Sequence, residues 1–362
     1  MKYVLAIDSF KGCLSSKEAE AAVEKGIRRT NPNAEVVSIP VSDGGEGMMD
    51  AFSGALSAEI KTIRCHDPLM RWIDARYAVS GKTAIIEIAQ TCGLSLIESE
   101  QHNPLVTTTY GLGDMLFDAL AQGYTDFIIG LGGSGTSDCG IGMLRCLTDR
   151  VREILQQPSI HWKEVKDWLY SQSSLSELHF TLACDVRNPL YGPQGAAEVF
   201  ARQKGADDNM IKMLERRAFT FAEASARYFG FDYSKNKGAG AAGGLGYAFM
   251  QYLHAKMESG ADLLLDILRF EELSKDADFV ITGEGKADRQ TLMGKLPSVI
   301  LRRSKCPVLL LAGQIEDAHA LLHAGFYNVL NINPLNANIE ESVKPEVAKQ
   351  NLTRCTTKIV GC

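Results

Sequence analysis

Short apolar runs recur along this chain at helix-length spacing, and several end on a loop of glycine and acidic residues. The loops are Asp8-Ser9-Phe10-Lys11-Gly12, Asp43-Gly44-Gly45-Glu46-Gly47, Gly130-Leu131-Gly132-Gly133-Ser134-Gly135, residues 238–246 and Gly283-Glu284-Gly285. An apolar run that is too short for a helix and stops at a glycine reads as a buried strand. Strands separated by helix-length segments form parallel sheets with crossover helices, and such sheets gather ligands at the C-terminal ends of their strands. Glycine lets the backbone turn there and bring N–H groups up to an anion. Carboxylates in the same loops would repel a phosphate on their own; a magnesium ion between the two removes the conflict. The pattern therefore points to a magnesium-dependent phosphoryl transferase.

The alternation is not uniform. Residues 3–7 and 35–39 read as strands around a helix that opens at Ser15, where Ser15-Ser16-Lys17-Glu18 has the spacing of a capping box. Residues 278–282, 307–312 and 327–332 repeat the strand signal near the other end. Residues 55–93 instead carry three strand-like runs, 60–63, 75–79 and 84–89, with turns between them and no long helix. Residues 107–120 return to a loop and helix, 126–131 is a strongly apolar strand, and 179–184 is a strand ending before Asp185. Trp162, Val165, Trp168 and Leu169 form a helical stripe that reads as core packing. Residues 247–258 read as a helix. The expected fold is α/β. A Rossmann-like, doubly wound parallel sheet is built from residues 1–54 and 262–362, with part of 102–150. A second α/β domain from about 55–101 and 151–261 is inserted in it.

At 362 residues the chain is long enough for two domains with ample cores. Its net charge is −6 with no basic block, so nucleic acid is not an expected partner. No stretch approaches the roughly 20 apolar residues of a membrane span, and Met1 to Asp8 does not read as a signal peptide. Nine cysteines without a CxxC pair suit free thiols in a reducing compartment, and the expected location is the cytoplasm. The state expected is a monomer or a homodimer.

Several motifs can be set aside. Gly294-Lys295 lacks the rest of a Walker A loop, and the seven histidines show no HxxxH spacing for zinc. GxGxxG occurs at Gly130-Gly132-Gly135 and at Gly238-Gly240-Gly243. The first has the strand-to-helix context of a dinucleotide site, with Asp149 as the acidic residue about 20 positions on. An NAD(P)-dependent oxidoreductase is thus the alternative reading, and a non-catalytic ligand-binding protein of periplasmic type is a third. Asp138 can cap the helix after its loop, Asp185 can cap the turn Asn188-Pro189-Leu190-Tyr191-Gly192, and Glu284, Asp288 and Lys295 can share a solvated loop.

Taken in order, the motifs resemble the bacterial glycerate kinases of the first type over nearly the whole chain. The resemblance rests on Asp8-Ser9-Phe10-Lys11-Gly12-Cys13-Leu14-Ser15, Pro40-Val41-Ser42-Asp43-Gly44-Gly45-Glu46-Gly47, Thr107-Thr108-Thr109-Tyr110-Gly111-Leu112-Gly113 and Leu131-Gly132-Gly133-Ser134-Gly135-Thr136-Ser137-Asp138. It continues through Ala183-Cys184-Asp185-Val186-Arg187-Asn188-Pro189-Leu190, Gln203-Lys204-Gly205-Ala206, the run 238–246 and Ile281-Thr282-Gly283-Glu284-Gly285. Ala201-Arg202 and Lys237 stand where the family usually has Gly-Pro and proline. Gly135-Thr136-Ser137-Asp138 replaces the family's Ala-Thr-Asn-Asp, and residues 147–177 follow the family pattern poorly.

The resemblance implies ATP- and Mg²⁺-dependent phosphorylation of D-glycerate, with 2-phosphoglycerate as the product in many members, in a cleft between two α/β domains. Glycerate's carboxylate needs a cation or amide cradle, for which Lys11 and Arg71 are candidates, with Ser9, Gly44 and Gly45 beside them. Its hydroxyl needs a base. Asp185 or Asp43 is expected in that role, with the other nearer the metal, Lys11 assisting, and Glu284 as a further Mg²⁺ ligand. Gly132, Gly133 and Ser134, together with Gly283, Glu284 and Gly285, are expected to line the nucleotide.

Overall fold

In a computed structural model of the chain, the described residues are 1–10, 12–39, 41, 47–171, 178–334 and 337–360. They divide into two compact units, Met1–Asp43 with Ala261–Cys362, and Gly44–Gly260.

The unit built from both termini holds a five-stranded sheet. Its strands are β1 (Lys2–Ile7), β2 (Glu35–Ser38), β9 (Phe279–Ala287), β10 (Val308–Ile315) and β11 (Asn328–Asn331), in the order β11-β10-β9-β1-β2. Every pairing is parallel. Val4, Leu5, Ala6 and Ile7 are all fully buried, which is why this stretch reads as one apolar run rather than an alternation. The helix Ser16–Thr30 begins with the expected capping box: Ser15 Oγ accepts from the Glu18 N–H, and the Glu18 carboxylate accepts from the Ser15 N–H. This helix and the helix Pro345–Val360 close over Tyr3, Leu5 and Ile7 with Val23, Ile27 and Leu352. From β1 the chain moves to β2 on one side, whereas β9, β10 and β11 extend to the other. The β1–β9 boundary is therefore a topological switch point.

The middle unit holds a six-stranded mixed sheet, ordered β3-β4-β5-β6-β7-β8. Strands β3 (Glu59–His66), β4 (Trp72–Ser80) and β5 (Thr83–Glu87) form the expected β-rich segment, and their pairing is antiparallel. Strands β6 (Asp126–Gly130), β7 (His179–Ala183) and β8 (Lys256–Glu258) add to β5 in parallel. Its core gathers Ile86, Leu112, Met115, Phe127, Ile129, Leu182, Leu245 and Phe249.

Four expectations are corrected. Residues 102–150 do not join the terminal sheet, because β6 hydrogen-bonds between β5 and β7. The helix Met48–Leu56 likewise packs on β4 and β5. The expected helix 247–258 ends as Ala241–Leu253, and residues 256–258 pair with β7 instead. Gly283-Glu284-Gly285 is not a loop after a strand. β9 runs on through it because β10 extends alongside, pairing Gly283 with Leu311 and Ala287 with Ile315.

Candidate active site

The terminal unit opens a pocket of about 750 Å³ at its switch point. Asp8 and Ser9 enter it from the end of β1, Glu284, Gly285 and Lys286 from β9, Gly313 and Gln314 from β10, and Asn331 to Pro334 from the end of β11. Phe10, Ile332 and Val343 give it an apolar wall. Asp8 is buried and turns back on its own loop, where its carboxylate accepts from the Ser9 N–H at 2.7 Å. Glu284 is also buried. Its Oε1 accepts from the Thr291 hydroxyl at 2.6 Å and its Oε2 from Lys295 Nζ at 3.1 Å. Burial pushes the Glu284 carboxyl above its ordinary range, and the Thr291 hydrogen bond and the Lys295 charge oppose that shift. Lys295 is partly exposed at the pocket wall, so the ion pair presents donors to a ligand.

In the middle unit the parallel strands end in one row, Glu87 beside Gly130, Gly130 beside Ala183, and Ala183 beside Glu258. Beyond that row lies a cavity of about 230 Å³ walled by Leu94, Leu131, Gly132, Gly133, Ser134, Val186, Phe200, Gln203, Lys204 and Ala242. Lys204 is only 2% exposed; its Nζ donates to Ser134 Oγ at 2.8 Å and to the Thr136 carbonyl at 2.6 Å. Burial pulls its ammonium down to about 8, partly opposed by the charge of Asp138. Asp185 is exposed just past β7, one residue before Val186 of the cavity wall.

Asp138 ties the loops together. It accepts from the backbone N–H groups of Thr109, Gly140 and Gly142, and from the Thr109 hydroxyl. That set of donors uses its acceptor capacity beside the start of the helix Ile141–Leu155. The N-cap position itself is Gly140, so Asp138 is not the expected N-cap but braces the turn before the helix and the Gly142 N–H. Glu87, buried at the end of β5, accepts from the Met49 N–H at 2.7 Å, at the start of the helix Met48–Leu56.

The structure thus brings Ser9, Glu284 and Gly285 to one pocket and Gly132, Gly133 and Ser134 to another. Gly283 is a sheet position, where a Cβ would meet the Leu311 carbonyl at 2.6 Å. Arg71 lies in the β3–β4 turn. Its Nε donates to the buried Asp67 carboxylate and its guanidinium to the Leu96 carbonyl, so it braces that turn. Lys11, Asp43, Gly44 and Gly45 lie outside the described residues. Sequence reasoning passed over Glu87 and Lys204 as site residues. A lone carboxylate inside the apolar run 84–89 was the available signal for the first, and a lysine within Gln203-Lys204-Gly205-Ala206 for the second.

The oxidoreductase reading needs an acidic residue at the end of the strand after the glycine loop. Asp149 instead sits within the helix Ile141–Leu155, paired with Arg145 and Arg152, and gives that reading no support.

Residues 3–362 match the model of the glycerate kinase family. The chain is 38% identical to the glycerate kinase of Halalkalibacterium halodurans, over 94% of this chain and 93% of that one. It is 36% identical to the glycerate 2-kinase of Escherichia coli K12, over 100% and 97% of the two chains. A crystal structure from Salmonella typhimurium LT2, of a protein provisionally named glycerate kinase 2, superposes with a TM-score of 0.81 at 33% identity, covering 99% of this chain and 97% of that one. With a family model matched almost end to end and relatives this similar along their whole length, the chain belongs to the glycerate kinase family and is a kinase.

Proposed function

We propose that this kinase transfers the γ-phosphoryl group of ATP to a hydroxyl of D-glycerate with Mg²⁺, giving 2-phosphoglycerate in the cytoplasm. The observation that carries the reading is the full-length similarity to a relative named glycerate 2-kinase. The terminal pocket supports it: about 750 Å³ at a sheet switch point, with an apolar wall and convergent polar groups, suits a nucleotide-sized ligand. Gly132, Gly133 and Ser134 line a smaller cavity that suits a phosphoryl group or carboxylate.

Among the described residues no cluster of three His, Cys, Asp or Glu could cage a metal ion. Glu284 accepts one hydrogen bond on each oxygen, from Thr291 and Lys295, and keeps lone pairs with which it could still meet the ion. Magnesium in phosphoryl transfer is commonly held by one or two carboxylates together with the nucleotide's phosphates. Asp185, exposed after β7, fits that mode, with Asp43 as the other carboxylate. When bound, the ion would neutralise charge on the transferring phosphoryl group. The carboxylate not facing the metal would accept the hydroxyl proton of glycerate. Lys295, already aligned by Glu284, would hold an anionic group of the nucleotide.

Phosphorus NMR of the product formed from D-glycerate and ATP tests the reading. A 2-phosphoglycerate resonance is expected; absence of glycerate-dependent ADP release would refute it. Asp→Asn at the base should lower kcat about 10²–10⁴-fold with little change in the KM for glycerate. The same change at the metal ligand should raise the Mg²⁺ concentration for half activity. Near-normal kcat and Mg²⁺ dependence in both Asp43→Asn and Asp185→Asn would remove these assignments and turn attention to Asp288 and Asp8.

A further inference from the structure

The cavity of the middle unit holds a charge that its protein surroundings do not balance. An ammonium group has three N–H donors. Lys204 spends two of them on neutral oxygens, the Ser134 hydroxyl and the Thr136 carbonyl. The carboxylate that acts on it, Asp138, does so through space, with its own oxygens bound to Thr109, Gly140 and Gly142. Burying an ammonium without a hydrogen-bonded counter-charge is costly, and proteins tolerate it where a ligand completes the pair. Lys204 is also not sealed in solid core. It lines the cavity together with the N–H-bearing loop Gly132-Gly133-Ser134, and Gly133 has φ +72°.

Nothing about holding the loop in shape requires a charge here. A neutral donor could bridge Ser134 and the Thr136 carbonyl without the desolvation cost. The lysine is carried on a short 3₁₀ turn, Arg202–Lys204, at the end of the helix Ala196–Phe200, and reaches seventy residues back along the chain to Ser134. The volume of about 230 Å³ admits a small acid or a single phosphoryl group but not a nucleoside with its phosphates.

We infer that this cavity is an oxyanion subsite in which Lys204 supplies the counter-charge and the Gly132-Gly133-Ser134 loop the neutral donors. The inference deepens the kinase reading and rests on it for the identity of the anion. Two sources share the chemistry: a phosphate of the nucleotide, and the carboxylate of the hydroxy acid.

The test is Lys204→Met, which keeps the length of the side chain and removes the charge. Charge-assisted hydrogen bonds of this kind correspond to a change of about ten- to a hundredfold in affinity. The KM of one ligand should rise by that factor, and the melting-temperature increment produced by the same ligand should vanish. Loss confined to ATP identifies a phosphate; loss confined to D-glycerate identifies the carboxylate. Each increment is read against the variant's own unliganded melting temperature, because losing two hydrogen bonds and removing a buried charge act in opposite directions on the fold. Both KM values and both increments unchanged would overturn the inference and leave Lys204 as a brace for its loop. Should Lys204→Met not fold, Val186→Phe narrows the cavity from another wall and must raise the same KM; an unchanged KM would count equally against the subsite. If the parent protein does not phosphorylate glycerate at all, the kinase reading fails before any variant is made. Stabilisation of the parent, but not of Lys204→Met, by inorganic sulfate would then still support the subsite, and equal stabilisation would overturn it.

Discussion

The middle unit contains the same glycine pattern twice, at Gly130-Gly132-Gly135 and Gly238-Gly240-Gly243, with opposite structural uses. The first lies open on one side: Gly132, Gly133 and Ser134 face a cavity, and a Cβ on Gly133 would approach only the Ala89 methyl, at 3.2 Å. The second is pressed against the first. A Cβ on Gly243 would sit 2.2 Å from the Thr136 carbonyl oxygen, and one on Gly240 equally close to that of Pro189. Cys139 donates its N–H to the Gly243 carbonyl, and Gly240 donates to that of Asn188. Residues 242–244 are all left-handed, and at Gly243 and Gly244 the turn leaves no room for a side chain. One run leaves a face open to a cavity; the other is glycine-rich so that the chain can approach itself. Spacing alone does not separate the two uses.

Substitutions can break the contrast. Gly243→Ala should have the largest effect on folding, because strain at φ +66° adds to a backbone clash that cannot relax. A loss of about 3 kcal/mol or more is expected in a urea melt, and a native midpoint would show that the run is not packing-limited. Asp138→Ala comes next. It leaves the N–H groups of Thr109, Gly140 and Gly142 without their acceptor. Roughly 2–3 kcal/mol should be lost, with a smaller loss in Asp138→Asn, which retains one acceptor oxygen. Gly133→Val should cost least, about 1–2 kcal/mol for the left-handed backbone, while raising the KM for ATP more than that for glycerate. A folded Gly133→Val with a normal nucleotide KM would mean that the first run cradles nothing.

Features set by neighbouring residues could be read from the sequence. The Ser15 cap, the buried β1, the β-rich run within 55–93 and the strands before the first three glycine loops all follow from local pattern. What was missed depends on distant partners. β9 continues through Gly283-Glu284-Gly285 only because β10 extends beside it. Residues 256–258 leave a helical pattern because β7 offers them an open edge. Arg71 resembles a free cation until Asp67 and the Leu96 carbonyl are folded against it. Lys204 shows the limit most plainly. A lysine between glutamine and glycine reads as surface, and only the return of residues 134–136 over it makes it a buried charge.

The terminal sheet also sets an order of events during synthesis. Its central pairing joins Tyr3 to Phe279, and Leu5 to Ile281. Residues 44–260, by contrast, form a unit that is contiguous along the chain. At ribosomal rates of about 5–20 residues per second, β1 waits tens of seconds for its β9 partner. The middle unit can fold within that interval. Until β9 emerges, Val4 to Ile7 remain an exposed apolar strand with one unpaired edge, a template for the wrong partner. Pulse-labelled nascent chains released before residue 279 should therefore hold a protease-resistant middle unit and a cleavable N-terminus. The strand β1 is thus made well before its partner β9 and is among the last parts of its sheet to become native.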